Sequence, residues 1–313
     1  MKKCFKLALK AKGKNIPNPY VGSVVYDEIE DRIISFGFHS AYGSPHAEVE
    51  AIKNANNNTK NKTLVVNLEP CSHYGKTPPC ADLIIESGIK KVVVGILDPN
   101  PLVQGRGIEK LKKAGIEVVV GVLEDEAYEL NKVFIKNITT KTPYIMLKSA
   151  ITLDSKIATI EKKSKWITNE KARLEVQKLR SEYQAIMSGS GTILEDNPRL
   201  NVRIKNKKNP IRIIFDPNNK IPLNSDNTRI ILVNNSNIKT PTWIEKIPFS
   251  NFSNLFYTLY KMGIYSIMVE SGAGFNSELL KNSFIDEINL FFAPKIFGSG
   301  LDFVKGLNTK EVS

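Results

Sequence analysis

The sequence predicts an α/β protein with two domains. Runs of β-branched residues alternate with runs of helical periodicity along most of the chain, which is typical of helices layered on a sheet. The chain has 313 residues, which is enough for two domains of ordinary size. A polar, helical stretch that ends at Thr142 and Pro143 separates two alternating regions. We therefore expect domains at residues 1–123 and 143–313, joined by a linker at residues 124–142.

The first region shows a helix followed by alternating strands and helices. Residues 2–12 have an apolar face with helical spacing, and we expect Phe5, Ala8 and Leu9 to face inward. Apolar runs predict strands at residues 22–26, 33–37, 63–68, 91–97 and 116–122. Helical periodicity predicts further helices at residues 46–55, 80–87 and 107–114. Gly88 supplies a left-handed end for the second of these helices.

The second region continues the alternation. Apolar runs predict strands at residues 144–150, 185–188, 211–215, 229–233, 267–270 and 287–292. Helices are expected at residues 168–183, with Thr168 as the N-cap, and at residues 275–281. Turns rich in glycine and serine follow two strands, at residues 188–192 and 270–274. Such turns can hold a pyrophosphate through backbone N–H groups, but they are also common without a ligand, and no G-x-G-x-x-G motif follows the first strand.

Composition limits the partners and the compartment. The formal net charge of +12 suits nucleic acid or anionic small substrates, but lysine and asparagine are scattered as on an ordinary solvated surface. Three cysteines argue for a reducing compartment, so we expect a cytoplasmic protein. No apolar run approaches about 18 residues, so we expect no membrane span. Lys6, Lys10 and Lys12 interrupt the apolar start, so we expect no signal peptide.

Four residues of the first region form the pattern of a catalytic metal site. His46, Cys71 and Cys80 offer one imidazole and two thiolates, and a three-ligand set leaves one position of a zinc tetrahedron open for water. Glu48 lies two residues after the histidine, and His-x-Glu with a later Pro-Cys is the signature of zinc-dependent base deaminases, in which the glutamate moves protons. Two cysteines alone are often core residues, as we expect for Cys4, but the combination predicts a zinc site.

Several motifs resemble those of the bifunctional deaminase/reductase family of riboflavin biosynthesis. Residues 69–80 read EPCSHYGKTPPC, in which eight residues separate the two cysteines, as is typical of this family. Other matching segments of the first region are residues 18–22, 37–43 and 98–101. Segments of the second region that are similar to the family's reductase domain are residues 164–168, 191–198 and 269–272.

The chain departs from the family's pattern at two places. Ser155 stands where the family usually has glycine after Leu153 and Asp154, so we expect the turn there to differ. The sequence also ends soon after residues 293–295, and we expect a reductase domain that is C-terminally short.

The resemblance implies two folds and two activities. It implies a cytidine-deaminase-like three-layer α/β/α domain at residues 1–123 and a dihydrofolate-reductase-like α/β domain at residues 143–313. The first would bind one Zn²⁺ per chain and remove an amino group from a phosphoribosylated pyrimidine by hydrolysis. The second would reduce the ribosyl group to a ribityl chain with NADPH. A homo-oligomer without nucleic-acid or membrane partners would be expected.

The resemblance also assigns roles to individual residues. Glu48 would be catalytic, and His46, Cys71 and Cys80 would bind zinc. The residues that would line the deaminase substrate pocket are Asn18, His39, Lys76, Asp98 and Asn100. The residues that would contact NADPH are Ala150, Trp166, Thr192, Asp196 and, in a loop, Gly272, Ala273, Gly274, Phe275, Asn276, Ser277 and Glu278. The residues that would contact the sugar-phosphate substrate are Ser164, Arg180, Leu200, Arg203 and Glu270, with Lys148 as a further candidate.

The cationic side chains in these sets have a second interpretation. A guanidinium fork suits a phosphate, which gives Arg180 and Arg203 a reason to lie near one. An exposed arginine on a helix or loop needs no ligand, however, and a lone loop lysine such as Lys76 is as often only solvated.

Two other functions compete with this hypothesis. A deaminase of tRNA or another nucleic acid is suggested by the net charge of +12 and the shared His-x-Glu signature, and it would bind RNA in a salt-sensitive way and ignore NADPH. The long spacing between Cys71 and Cys80 and the second α/β region argue against it. A zinc-stapled binding protein without catalysis is the other alternative, and it would hold metal but release no ammonia.

Overall fold

The structure of the chain is a computed structural model that describes residues 1–72, 74, 78–100, 103–221, 230–235, 242 and 244–307. It contains two units, Met1–Lys141 and Thr142–Ser313, and each of them has its own sheet. No helix among the described residues is long and apolar enough to cross a membrane.

A five-stranded sheet forms the centre of the first unit. Its strands are β1 (Gly22–Asp27), β2 (Arg32–Phe38), β3 (Thr63–Leu68), β4 (Lys91–Ile96) and β5 (Glu117–Val120), in the order β2-β1-β3-β4-β5. β1 pairs antiparallel with β2 and β3, whereas β3, β4 and β5 are parallel. The helices are α1 (Lys2–Ala8), α2 (Ala47–Asn54), α3 (Cys80–Glu86), α4 (Arg106–Lys113) and α5 (Glu124–Thr140).

Helices cover both faces of this sheet, which confirms the expected three-layer arrangement. Leu64 and Val66 of β3 are fully buried in a cluster with residues of α2, α3 and α4. The intervening Val65 points to the other face, where it packs against Cys4 and Leu7 of α1. A side chain on Gly95 of β4 would contact α5, so α5 lies directly on the sheet. The alternation of side chains along each strand thus places one apolar set against each helical layer.

One expectation for the first unit is corrected. Leu9 was expected to face inward, but 47% of it is exposed, and Leu7 is the buried leucine. The α-helix ends at Ala8 and continues as a 3₁₀ turn over Leu9–Ala11, whose tighter winding turns Leu9 outward. The stretch expected as a helical linker, residues 124–142, contains α5, whose Ala127 is fully buried.

A seven-stranded parallel sheet forms the centre of the second unit. Its strands are β6 (Tyr144–Thr152), β8 (Ala185–Gly189), β9 (Ile211–Phe215), β10 (Ile230–Val233), β11 (Ile244–Ile247), β12 (Ser266–Val269) and β13 (Glu287–Ala293), in the order β11-β10-β9-β8-β12-β6-β13. β7 (Lys156–Thr159) and β14 (Gly300–Asp302) form a separate antiparallel pair. The helices are α6 (Glu170–Arg180), α7 (Ser190–Asp196), α8 (Phe252–Lys261) and α9 (Ala273–Lys281).

The central strands of this sheet are apolar throughout because both faces are covered. Met187, Ile213 and Val269 are fully buried in one cluster with Phe256 and Leu259 of α8. Strands of a parallel sheet that are buried on both faces read as continuous apolar runs, which is why the sequence showed them clearly.

Several elements of the second unit differ from the expectation. The N-cap of α6 is Asn169, whose side chain accepts a hydrogen bond from the backbone N–H of Ala172, and Thr168 lies before it. The glycine-rich stretches at residues 190–196 and 272–278 are largely helical, since α7 and α9 begin directly after Gly189 and Gly272. Strands β7, β11 and β14 and helix α8 were not expected.

Ser155 occupies the turn between β6 and β7 with φ of 61°, in the left-handed region that favours glycine. Its backbone N–H donates to the carbonyl oxygen of Thr152, and its own carbonyl oxygen accepts from the N–H of Phe303. The turn therefore has a backbone conformation suited to the glycine of the family's pattern, and serine adopts it at a cost.

We expect Ser155→Gly to stabilise the second unit by roughly 0.5–1 kcal/mol, because glycine removes the left-handed penalty. Ser181, with φ of −75°, is a matched control, and Ser181→Gly should lower the free energy of unfolding. Both tryptophans, Trp166 and Trp243, lie within residues 142–313, so tryptophan fluorescence during urea unfolding reports on this unit. A loss of stability in Ser155→Gly would contradict this account.

Candidate active sites

The three expected metal ligands lie at the starts of two neighbouring helices of the first unit. His46 is the N-cap of α2, and Cys80 is the first residue of α3. Cys71 lies in the segment after β3, where its carbonyl oxygen accepts a hydrogen bond from the N–H of Ala81. Gly37 lets α2 approach β2, because a Cβ atom there would stand 2.4 Å from the carbonyl oxygen of Ala47. Backbone packing therefore brings the ligands together.

The ligand atoms of His46, Cys71 and Cys80 all lie within 4.8 Å of one another. His46 Nδ1 is 3.2 Å from Cys80 Sγ and 3.6 Å from Cys71 Sγ. The backbone N–H of Cys80 donates to Cys71 Sγ at 3.3 Å. One nitrogen and two sulfur donors at such spacing suit a tetrahedral zinc ion with one further position for a small ligand.

Electrostatics around the cluster favour a cation. Hydrogen bonds from Cys80 and His46 lower the pKa of Cys71, so this thiol ionises readily. A hydrogen bond with Cys71 and burial raise the pKa of Cys80, since a second thiolate beside the first is costly without a positive charge. The same thiolate of Cys71 raises the pKa of His46. A metal ion would supply the charge that the two sulfurs need.

Glu48 lies in the first turn of α2, two residues after His46, and only 4% of it is exposed. Burial raises the pKa of this carboxyl to about 7, although the nearby imidazole of His46 opposes the rise. A carboxyl at this position sits beside the metal ligands, and it can hold or release a proton near neutral pH.

Asn18 and His39 form a polar pair next to the metal cluster. The side-chain amide of Asn18 donates to His39 Nε2 at 2.8 Å, and His39 Nδ1 lies 3.1 Å from the carbonyl oxygen of Pro45. These partners require the neutral tautomer that carries its proton on Nδ1. Burial lowers the pKa of His39, which agrees with a neutral ring. The rings of His39 and His46 meet edge to face with centroids 5.7 Å apart.

Two buried asparagines hold the segment that carries Asn18. Asn131 of α5 accepts from the backbone N–H of Tyr20 at 2.8 Å and donates to its carbonyl oxygen at 3.1 Å. Asn67 of β3 donates to the same oxygen at 2.8 Å and accepts from the N–H of Gly22 at 2.7 Å. We call Asn67 and Asn131 the asparagine clasp. Sequence reasoning missed it, because one asparagine in a helical pattern carries no sign of its distant partner.

Asp98 and Asn100 follow β4, at the same sheet edge as Cys71. Asp98 Oδ1 accepts from the N–H of Asn100 at 2.9 Å. The N–H of Asp98 donates to Glu69, which lies two residues before Cys71. This part of the predicted pocket is thus joined to the metal segment. Lys76, also predicted for the pocket, lies outside the described residues.

An ionic cluster of three predicted residues lies in the second unit. Glu270 follows β12 and its side chain is 12% exposed. Arg180 Nε and Nη2 donate to its two carboxylate oxygens at 2.6 and 3.0 Å, and Lys148 Nζ donates at 3.2 Å. Burial would raise the pKa of Glu270, but Lys148 and Arg180 lower it to about 2. The structure therefore brings Lys148, Arg180 and Glu270 together.

The starts of α7 and α9 lie side by side because β8 and β12 are neighbours in the parallel sheet. A Cβ atom on Gly272 would stand 3.6 Å from Thr192 Oγ1. The first N–H groups of a helix have no partner within the helix, and such helix starts attract anionic groups. An NADPH pyrophosphate therefore suits this edge of the sheet.

Other predicted cofactor residues divide into buried and exposed sets. Asn276 and Ser277 are buried and bonded within the protein, to the carbonyl oxygens of Phe303 and Ala273 respectively. Phe275 stacks on Phe215 with ring centroids 4.8 Å apart, inside an aromatic cluster. These three side chains are engaged in the core, so only their backbone remains for a ligand. Glu278 is exposed.

The remaining predicted residues of the second unit differ in their contacts and in their exposure. Ser164 donates to Asp196 Oδ1 at 3.3 Å, which joins a predicted substrate residue to a predicted cofactor residue. Trp166 is 60% exposed and stacks with the guanidinium of Arg173 at 4.5 Å. The other three are Ala150, partly buried in β6, Leu200, buried with φ of 48°, and Arg203, which is exposed.

Comparison with known proteins decides the family. Residues 143–312 match the family model for the RibD C-terminal domain, and residues 1–96 match the zinc-binding region of cytidine and deoxycytidylate deaminases. The chain is 46% identical to the riboflavin biosynthesis protein RibD of Aquifex aeolicus, over 96% of this chain and 88% of that protein. The chain belongs to the RibD family.

Further RibD relatives agree along the whole chain. Identity to RibD of Escherichia coli is 37%, over 98% of this chain and 91% of that protein. The crystal structure of a diaminohydroxyphosphoribosylaminopyrimidine deaminase/5-amino-6-(5-phosphoribosylamino)uracil reductase from Thermotoga maritima superposes with a TM-score of 0.89 at 43% identity, and it covers all of this chain and 91% of that one.

Membership in the RibD family confirms the main predictions. The chain is a bifunctional enzyme of riboflavin biosynthesis, with a cytidine-deaminase-like hydrolase domain and a reductase domain. Its cofactors are zinc and NADPH. The His46, Cys71 and Cys80 donor set suits the metal, and the paired helix starts suit the dinucleotide. The alternatives of a tRNA deaminase and of a non-catalytic zinc protein are set aside.

The asparagine clasp makes a testable prediction. Asn131→Leu keeps the approximate shape of the side chain but leaves the N–H and C=O of Tyr20 with fewer hydrogen-bond partners. We therefore expect the free energy of unfolding to fall by roughly 1–3 kcal/mol. Loosening the segment of Asn18 should also raise the KM of the deaminase and leave the reductase unchanged. Tyr128→Leu, at an exposed position of the same helix, is the control and should change stability by less than about 0.5 kcal/mol. Equal effects of the two substitutions on KM would refute the role of the clasp.

The ionic cluster should make the stability of the second unit depend on pH. The pKa of Glu270 in the folded state, about 2, lies below its ordinary value of 4.5, so its contribution is present above pH 4.5 and is lost as the pH falls toward 2. Glu270→Gln leaves two cations partly uncompensated, and we expect a loss of about 3 kcal/mol at pH 7 that shrinks at pH 3.

Urea unfolding followed by tryptophan fluorescence at the two pH values measures this difference. Glu195→Gln removes an exposed ion pair with Lys162 and should change stability by less than about 1 kcal/mol. If Glu270→Gln lowers the free energy of unfolding by the same amount at pH 7 and at pH 3, the lowered pKa of Glu270 is contradicted.

Proposed function

We propose that the two units catalyse successive steps on one small molecule. The first unit removes an amino group from diaminohydroxyphosphoribosylaminopyrimidine by hydrolysis, and the second reduces the ribosyl group of the resulting phosphoribosylaminouracil to a ribityl chain with NADPH. The proposal for the substrate rests on the activity of the similar Thermotoga maritima deaminase/reductase. The observation that carries the deaminase assignment is the cluster of His46, Cys71 and Cys80 within 4.8 Å, with Glu48 buried beside it.

His46, Cys71 and Cys80 hold one zinc ion in this proposal. When bound, zinc lowers the pKa of its water toward neutrality and so makes a nucleophile available at physiological pH. The chain offers three ligands from rigid helix starts and the segment after β3, which leaves room for that water. Burial of Cys80 and Glu48 excludes bulk water from one side of the site.

Glu48 moves the protons of the deamination. Its carboxylate takes one proton from the attacking water and delivers it to the pyrimidine ring nitrogen. It then passes the second proton of the same water to the amino group, which leaves as ammonia while the oxygen stays on the ring carbon. The position of Glu48 in the first turn of α2 supports this role, because the same turn begins with the ligand His46. The backbone of this turn therefore fixes the distance between Glu48 and the metal ligand His46.

Asn18, His39, Lys76, Asp98 and Asn100 bind the substrate around this centre. Neutral His39 is hydrogen-bonded to Asn18 and to the carbonyl oxygen of Pro45, so its ring presents a polar surface of fixed orientation to the pyrimidine. Lys76 is proposed for the phosphate on the ground of family resemblance. An anionic phosphate ester also agrees with the net charge of +12.

NADPH binds the second unit at the carboxyl edge of its sheet. Backbone N–H groups at residues 272–275 hold the pyrophosphate, and Ala150, Trp166, Thr192 and Asp196 contact the rest of the dinucleotide. The remaining predicted residues, 276–278, contribute through the backbone or from the surface of α9. Ligands of open parallel sheets bind at this edge, where helix starts converge.

The sugar-phosphate substrate lies beside the ionic cluster. Ser164, Leu200, Arg203 and Glu270 contact it in this proposal. Because both nitrogens on one edge of Arg180 are bonded to Glu270, Arg180 acts mainly by holding that carboxylate. Exposed Arg203 is then the better candidate for the phosphate. Lys148, which donates to the same Glu270 oxygen, Oε2, as Arg180 Nη2, completes the cluster.

Three further features belong to the proposal. The deaminase domain includes α5 as well as residues 1–123, and the reductase domain covers residues 143–313. The enzyme is a homo-oligomer in the cytoplasm, as the resemblance and the three cysteines suggest. It needs no nucleic acid or membrane, because its substrate is a small phosphorylated pyrimidine.

Glu48→Gln tests the proposal most simply. We expect ammonia release to fall by about 10²–10⁴-fold, because the amide cannot move a proton, while zinc content stays at one per chain. NADPH oxidation with the deaminated substrate should be unchanged. The measurements are ammonia release, zinc content by atomic absorption, and NADPH absorbance.

Glu50→Gln is a matched control, because Glu50 lies in the same turn and its side chain accepts the N–H of Phe38. We expect near-normal activity from it. Full ammonia release by Glu48→Gln would remove the proton role of Glu48. An unaltered chain that holds zinc but neither releases ammonia nor oxidises NADPH would refute the proposed function as a whole.

A further inference from the structure

Glu69 is a buried carboxylate whose partners are backbone groups. It directly follows β3, and 4% of it is exposed. Its Oε2 accepts from the N–H groups of Asp98 at 3.1 Å and Gly105 at 3.0 Å. Its Oε1 accepts from Gly107 at 3.0 Å and Ile108 at 3.3 Å. No ion pair to Glu69 is found in the part of the chain that the structure describes.

Four backbone N–H groups stabilise the buried carboxylate of Glu69, and two of them belong to the first turn of a helix. Gly107 and Ile108 are the second and third residues of α4, and Gly105 is its N-cap. The free N–H groups and the dipole of a helix start favour a carboxylate. Oriented backbone N–H groups therefore take the place of a cation beside Glu69, and they join the start of α4 to the end of β3.

Glycine at position 107 is required by this contact. A Cβ atom on Gly107 would stand 2.1 Å from the carbonyl oxygen of Pro70 and 3.1 Å from Glu69 Oε1. The start of α4 thus lies directly against Pro70, the residue before the metal ligand Cys71. Only a residue without a side chain permits this approach.

Glu69 consequently joins two parts of the deaminase site that are distant in sequence. On one side lies the segment of Cys71, two residues away. On the other lies Asp98, whose N–H is bonded to Glu69 and whose carboxylate accepts the N–H of Asn100. The proposed substrate residues Asp98 and Asn100 are therefore placed relative to the metal segment through one carboxylate.

We propose that Glu69 is a positioning residue of the deaminase, which sets the distance between the pyrimidine-binding loop at residues 98–100 and the metal segment. It does not touch the reacting atoms, and it acts on substrate binding through Asp98 and Asn100. The inference rests on the proposed function of the first unit. It predicts an effect on the KM for the pyrimidine substrate that is separate from zinc binding and from the reductase.

Substitutions at Glu69 in the full-length chain separate charge from shape. Glu69→Gln keeps the length but turns one acceptor into a donor facing N–H groups, and we expect the deaminase KM to rise by about 10-fold or more. Glu69→Asp keeps the charge at a shorter reach and should lie between Glu69→Gln and the unaltered chain. A residue that only fills space would rank the two variants in the reverse order, because glutamine is the closer match in shape.

Asp216→Asn is the matched control in the second unit. Asp216 is also buried and accepts two backbone N–H groups, from Lys220 and Ile221. Its substitution should leave the deaminase KM unchanged. Ammonia release gives KM and kcat, atomic absorption gives zinc per chain, and NADPH oxidation reports on the reductase of every variant.

A raised KM with full zinc content and normal reductase activity supports the proposal. A KM for Glu69→Gln within about twofold of the unaltered chain overturns it, as does loss of zinc with an unchanged KM in the remaining activity. If Glu69→Gln does not fold, Glu69→Asp decides in the same way, by its KM at full zinc content. An unaltered chain without deaminase activity would refute the proposed function instead, which keeps the two failures distinct.

Discussion

The deaminase site depends on the packing of two helix starts side by side at one edge of a sheet. His46 begins α2 and Cys80 begins α3, and both helices cover the face of β3 that carries Leu64 and Val66. Helix starts present free N–H groups and a positive dipole end, which favour thiolates. The same packing buries Glu48 beside the ligands. The proposed metal binding, the proposed proton transfer and the apolar core of the first unit therefore depend on one arrangement of helices.

The sequence predicted the elements whose signals are local. Apolar runs marked the strands that are buried on both faces, and the His-x-Glu and Pro-Cys motifs marked a site whose ligand types restrict the chemistry. Leu9 was misplaced because a 3₁₀ turn changes the helical register within one residue. Strands β7 and β14 were missed because they are short and pair across more than 130 residues. The asparagine clasp and Glu69 escaped for the same reason, since their partners are distant backbone groups.

In the second unit, sequence motifs identify a candidate site only when the strand order of the sheet is known. The two turns rich in glycine and serine were ambiguous as isolated patterns, and they become one candidate site only because β8 and β12 are neighbours in the parallel sheet. The sequence of neither turn indicates the order of the strands in the sheet. The opposite case is Arg180, which looked free to bind phosphate in the sequence but is bonded to Glu270 in the fold. Local patterns thus indicate the residue types, and the pairing of distant segments determines which of them lie together.

We propose that one nitrogen and two sulfurs of this chain hold a single zinc ion. Zinc K-edge X-ray absorption of the purified chain measures the number and type of these ligands. We expect one zinc per chain with two sulfur neighbours at about 2.3 Å and light-atom neighbours at about 2.0–2.1 Å. Cys4 is buried against Val65 and should contribute no sulfur. A spectrum with three sulfurs, or with fewer than two, would contradict the proposed site.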